Sequence, residues 1–135
     1  MFKFHYQYRC IDNLPIIPIA FKSKCKTTNI IEGFIDTGST NLLINHQLSD
    51  YLHLEPKNWM KNSTSASGHE FKTAKVIADL IIGHGHRRDP FKDVEIRVSE
   101  FNDYPDLPLI GRYPLFEWYN VNFDNEKNRV DLIPK

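Results

Sequence analysis

The stretch Ile30-Ile31-Glu32-Gly33-Phe34-Ile35-Asp36-Thr37-Gly38-Ser39-Thr40 decides how this chain is read. An apolar run leads straight into a carboxylate, a hydroxyl residue and a glycine, and apolar character resumes at Leu42-Leu43-Ile44. Asp, Thr, Gly and Ser are turn formers, so the pattern is strand, tight loop, strand. Turn chemistry does not explain why a carboxylate ends an apolar run, where burying charge is costly. Asp36 must be neutralised there or used.

The rest of the chain narrows the classes. One hundred and thirty-five residues suit one domain with a real core, spanning 1–135. Hydrophobic residues at 41% and charged ones at 25% are ordinary for a globular fold and argue against disorder. Seventeen basic and seventeen acidic side chains cancel, leaving no electrostatic footprint for nucleic acid or an anionic membrane. No apolar run is long enough to span a bilayer, and the opening Met1-Phe2-Lys3-Phe4-His5-Tyr6 lacks the apolar core of a secretory signal. The sequence therefore reads as a soluble and most simply cytoplasmic protein. Cys10 and Cys25 are too few for a disulfide framework or a metal site. Reducing surroundings favour free thiols, with a bridge across a first hairpin as the alternative.

Taken in order, residues 4–11 alternate as a strand, Asp12-Asn13-Leu14-Pro15 is a turn, and Ile16 to Phe21 is a second strand. Pro18 cannot donate to a ladder and predicts an edge or a bulge. Strand 29–35 delivers Asp36, strand 41–44 follows, and Asn45 is placed to cap a short helix over 46–52. Asn58 to Lys72 holds a serine-rich, glycine-containing tip between aromatic flanks and predicts a mobile hairpin. Val76–Ile82 and Val94–Val98 are strands separated by a loop over 83–90. In that loop His84 and His86 read as polar turn residues without a third ligand, and Arg87-Arg88 as a solvated tip. Glu100 to Pro108 is an acidic, proline-containing loop, Tyr113 to Glu117 a short helix, and 118–123 with 128–133 a closing hairpin. A faint repeat is visible: strand, apolar pair, turn and short helix occur around Asp36 and again around Gly111.

At Asp36-Thr37-Gly38-Ser39 the chain resembles the retropepsin-like aspartic proteases, the single-domain retroviral-type branch. A second signature of that family, an apolar-apolar-glycine element, stands about seventy residues later as Leu109-Ile110-Gly111-Arg112. A flap-sized segment separates the two, and the resemblance runs from about residue 11 to the end. It implies an all-β acid-protease barrel with a flap hairpin, tipped here by Ser65, Ala66, Ser67, Gly68 and His69, and one or two short helices. It implies peptide-bond hydrolysis by Asp36 with no cofactor and no metal.

Hydrolysis by carboxylates needs two around one water, one ionised as base and one protonated. Two carboxylates in contact share a proton and titrate as a unit. The sequence holds no second Asp-Thr-Gly or Asp-Ser-Gly, and the duplicate position carries Ile110-Gly111-Arg112. The resemblance therefore implies a two-fold homodimer that pairs Asp36 with its symmetry mate and binds an extended peptide. In it Thr37 would brace the loop across the axis, Gly38 would allow close approach to substrate, and Ser39 would donate to the outer oxygen of Asp36. One departure stands out. Many relatives carry an acidic residue four positions after the aspartate that pairs with the arginine after the glycine, whereas this chain has Thr40 opposite Arg112. The competing readings are a catalytically silent domain of this fold used for dimerisation or peptide binding, and a generic β-barrel binding module.

Overall fold

The computed structural model of the chain describes residues 1–65 and 67–135, with Asn62 described by its backbone alone. Its architecture is all-β with two short helices. The strands are β1 (Phe4–Gln7), β2 (Ile16–Lys22), β3 (Ile31–Ile35), β4 (Leu42–Ile44), β5 (Lys57–Thr64), β6 (Glu70–His84), β7 (Arg87–Ser99), β8 (Leu109–Ile110), β9 (Tyr119–Asp124) and β10 (Arg129–Pro134). Helix α1 (His46–Tyr51) follows β4, and α2 (Arg112–Trp118) follows β8.

Six strands in the order β2-β3-β8-β4-β7-β6 close on themselves through a β2–β6 pairing, and β5 extends the sheet beyond β6. Closure leaves no edge inside the barrel. The apolar runs noted in the sequence fill it: Ile17, Ile19, Phe21, Leu42, Ile44, Leu80, Ile82, Ile96 and Ile110 are fully buried. Each such side chain stabilises the fold by roughly 1.5–3 kcal/mol relative to exposure. Pro18 does not lie on an edge strand, because β2 is paired on both sides. It is accommodated because pairing with β6 starts only at Ile19, so Pro18 faces β3 alone.

The N-terminal segment departs from the expected hairpin. Residues 4–11 and 16–21 do not pair with each other. The first strand stops at Gln7 and joins β10, matching Phe4 with Leu132, in a separate sheet of order β1-β10-β9. His5 Nδ1 lies 2.6 Å from Asp131 Oδ1, and Phe2 N donates to both oxygens of buried Asp89 at 3.0 and 3.1 Å. Burial would raise the Asp131 carboxyl, but hydrogen bonds from His5, Arg129 and Asn122 outweigh it and hold the group below the usual carboxylate range. Cys10 and Cys25 are free and exposed.

The loop expected over 83–90 is also different. β6 and β7 continue as a long hairpin paired out to His84 and Arg87, leaving Gly85 and His86 as the turn. Gly83 sits at φ +99°, and a Cβ there would come within 2.2 Å of Arg87 O. Asp89 points inward and accepts from Tyr119 Oη at 2.5 Å. Arg87 is exposed yet engaged: its guanidinium lies 5.5 and 5.6 Å from the Phe2 and Phe4 ring centroids and donates to Lys3 O. No helix of the described residues is long and apolar enough to cross a membrane.

Candidate active site

The loop at Asp36 is built by a crossing of strands. β8 runs parallel to β3, matching Phe34 with Leu109 and Ile35 with Ile110, and antiparallel to β4, matching Leu42 with Ile110. The pair Leu109-Ile110 is therefore threaded between the two strands that flank the loop. Five backbone bonds fix the loop: Asp36 N to Ile110 O (3.0 Å), Ser39 N to Asp36 O (3.1 Å), Gly111 N to Asn41 O (3.1 Å), Arg112 N to Ser39 O (3.0 Å) and Tyr113 N to Thr40 O (2.9 Å). Gly111 is required by contact rather than by its dihedrals. A Cβ at that position would meet Asn41 O at 2.5 Å and Ser39 O at 2.6 Å.

Asp36 is half-buried, and its Oδ1 accepts from Gly38 N at 2.9 Å. A carboxyl oxygen accepting from a backbone donor two residues on is the usual geometry of an aspartate turn. Thr37 and Gly38 are exposed at the crown of the loop. Ser39 supports the loop in another way than expected: its hydroxyl donates to Asn41 O at 3.0 Å rather than to Asp36. Arg112 is exposed and makes no ion pair with any described residue, while the Thr40 hydroxyl accepts from Asn41 Nδ2 at 3.1 Å.

Asp36, Gly38 and Ser39 open onto a cleft of about 570 Å³. Its other walls are Phe34, Thr40, Asn41, Leu43 and Leu109 from the crossing, Ser63, Thr64, Ser65, Phe71 and Thr73 from the β5–β6 hairpin, Arg97 from β7, and Tyr104-Pro105-Asp106. The hairpin tip is closed by Ser65 N donating to His69 O at 2.8 Å. Of the five residues expected at the flap tip, Ser65 lines the cleft. Ser67, Gly68 and His69 are exposed outside it, and Ala66 lies outside the described residues. The 104–106 wall is held by Asn45 Nδ2, which donates to Pro105 O at 2.9 Å, and by Tyr104, whose ring meets Phe71 edge-on at 5.5 Å. The same Asn45 side chain also caps α1, its Oδ1 accepting from Leu48 N at 2.8 Å.

Of the residues singled out by sequence reasoning, Asp36, Gly38, Ser39, Ser65 and Leu109 line the cleft, and Ile110 and Gly111 bond to the Asp36 loop. That reasoning misses Arg97, Tyr104 and Asp106. A lone charge in an alternating strand reads as solvent-facing, and nothing local in the 100–108 loop marks it as a wall. Among the described residues no group of three or more His, Cys, Asp or Glu side chains could hold a metal ion. His84 and His86 are exposed at the far β6–β7 turn.

No family model matches the sequence, and no curated protein matches it. Its three-dimensional likeness is clear. The crystal structure of a retropepsin-like aspartic protease from Rickettsia conorii superposes with a TM-score of 0.69 over 98% of this chain and 99% of that one, at 20% identity. The retroviral protease-like domain of Ddi1 from Leishmania major gives 0.51 over 90% and 94%, at 12% identity. The chain therefore has the fold of the retropepsin-like aspartic proteases.

Proposed function

We propose that the protein is an aspartic endopeptidase that works as a two-fold homodimer, with the two Asp36 carboxylates forming one site. The observation that carries this reading is the placement of Asp36: half-buried, on a loop tied by backbone bonds to the Leu109–Arg112 element, at the floor of a cleft of about 570 Å³. A cleft in which apolar side chains such as Phe34, Leu43, Phe71 and Leu109 alternate with many polar ones suits an extended peptide.

In the dimer the ionised member of the pair takes a proton from a water molecule, and the oxygen of that water attacks the scissile carbonyl carbon. The protonated member donates to the carbonyl oxygen as the tetrahedral intermediate forms. Return of a proton to the amide nitrogen then releases the two peptide halves. Thr37 and Gly38, exposed at the crown, are where a second copy would meet the loop. The Ser63–Ser65 edge of the hairpin would cover bound substrate as a flap. The tip beyond that edge is exposed, so Ser67 and Gly68 amides are expected to exchange faster than those of Phe34 to Asp36.

The test is specific activity against concentration. Cleavage per chain is expected to fall on dilution, in step with a dimer-to-monomer shift in sedimentation. A monomer that retains full activity would refute the paired site. A stable dimer that binds peptides without cutting them would identify a silent domain of this fold.

A further inference from the structure

The cleft wall opposite the Asp36 loop carries a charge pattern that strand pairing alone does not favour. Leu43 of β4 is paired with Arg97 of β7, Arg97 with Lys75 of β6, and Lys75 with Lys57 of β5. Residues directly opposite each other share one face of a sheet, so three cations stand in a row that starts beside Leu43 in the cleft. Like charges directly opposite one another oppose pairing. One carboxylate answers them: Glu95 Oε1 lies 3.6 Å from Arg97 and 3.7 Å from Lys75, leaving the row net positive. The Arg97 side chain is 23% exposed, and its Nε is buried without a hydrogen-bond partner among the described residues. A partly exposed guanidinium at the wall of a cleft is suited to a carboxylate, with which it makes a charge-assisted hydrogen bond. The acidic groups of the cleft, Asp36 and Asp106, come from the loop at the end of β3 and from the 104–106 wall, on other elements than the cationic row.

We propose that Arg97, backed by Lys75, is a specificity-determining residue that selects peptides with an Asp or Glu side chain a few residues from the scissile bond. The proposal rests on the peptidase reading of the cleft. β7 stands three places from β3 in the barrel order, on the order of 14 Å. An extended peptide rises about 3.3 Å per residue, so the acidic side chain falls within about four residues of the cleaved bond.

Two measurements test this. Wild-type protein is incubated with a randomised peptide library, and the best-cleaved sequence is resynthesised with Glu, Gln or Lys at each position. One position is expected to prefer Glu over Gln by roughly tenfold in kcat/KM, the order expected of a charge-assisted hydrogen bond. Arg97→Gln should bring that ratio to about one, Arg97→Glu should turn the preference toward Lys, and Lys75→Gln should reduce it by a smaller factor. Equal acceptance of Glu and Gln by the wild type, or an unchanged ratio in Arg97→Gln of native thermal stability, overturns the assignment. If Arg97→Gln does not fold, Lys75→Gln decides. The second measurement needs no cleavage. Asp36→Asn protein is titrated into a fluorescein-labelled peptide of alternating Val and Glu and into its Val–Gln counterpart, with anisotropy as readout. Roughly tenfold tighter binding of the acidic peptide, lost in the added Arg97→Gln, supports the assignment even if nothing is cut. Equal binding overturns it, whatever the fate of the peptidase reading.

Discussion

Around Asp36 a strand ends, the chain turns, and after β4 a short helix follows; around Gly111 a strand ends, the chain turns, and a short helix follows at once. The first turn presents a carboxylate to a cleft. The second presents no side chain, because its glycine is pressed against the Ser39 and Asn41 carbonyls of the first. The two helices differ in the same sense: α1 is capped by Asn45, whereas Gly111 stands at the N-cap of α2 with no side-chain cap. The difference teaches what each copy of the motif is for. One carries the carboxylate and the other is the surface its loop rests on, so position 111 is sterically closed to a second carboxylate. On the proposed reading, a chain built this way supplies half of a two-carboxylate site.

That comparison can be attacked at four points. Asp36→Asn removes the charge without changing the shape of the loop, and cleavage is expected to fall by at least roughly 10²–10⁴-fold, the range of acid–base catalysis. The thermal midpoint should hold or rise, because a pair of carboxylates forced together opposes association when ionised. Unfolding of this variant would mean that Asp36 is a structural residue. Gly111→Ala attacks the supporting copy: two carbonyls of a hydrogen-bonded loop cannot move aside, so urea denaturation should show a loss of about 3 kcal/mol, with activity lost alongside. Asn45→Ala should cost about 1–2 kcal/mol from the lost cap and the freed Pro105 carbonyl. It should also raise KM, because the 104–106 wall is released. Gly33→Ala is the mildest. Its Cβ would meet the Ile110 and Ile19 side-chain tips at 2.8 Å, which can rotate away, so a cost of about 1 kcal/mol is expected by the same denaturation. A Gly33 variant as damaged as the Gly111 one would show that the crossing is not the special contact.

Much of this plan is written locally. The Asp36 turn, the Asn45 cap, the β5–β6 hairpin and the closing β9–β10 hairpin each depend on residues close together in the chain, and each is legible in them. The repeat around Gly111 is visible as a pattern, but its contact with Asn41 and Ser39 is not. What fails to show is long-range or hidden by polarity. β1 reads as the first arm of a hairpin because nothing in Phe4–Gln7 announces a partner at 129–132. The 87–90 segment reads as a loop because Arg88, Asp89 and Pro90 are poor strand formers. It is strand because Asp89 is turned inward to meet Phe2 N and Tyr119 Oη. The family resemblance assigns the Ser39 hydroxyl to Asp36, whereas it donates to Asn41 O.

The threading of β8 between β3 and β4 also sets when the site can exist. Asp36 N finds its acceptor on Ile110, about seventy positions later in synthesis, and the loop remains without four of its five backbone bonds until residues 110–113 arrive. Contacts of such separation form slowly, because the intervening chain must be closed before they are rewarded. The sheet that ties His5 to Asp131 spans 126 positions and needs the last strand of all. A nascent or truncated chain ending before residue 109 therefore carries the aspartate without its geometry. The geometry of the Asp36 loop is acquired at the end of folding, a built-in delay between making this polypeptide and completing its cleft.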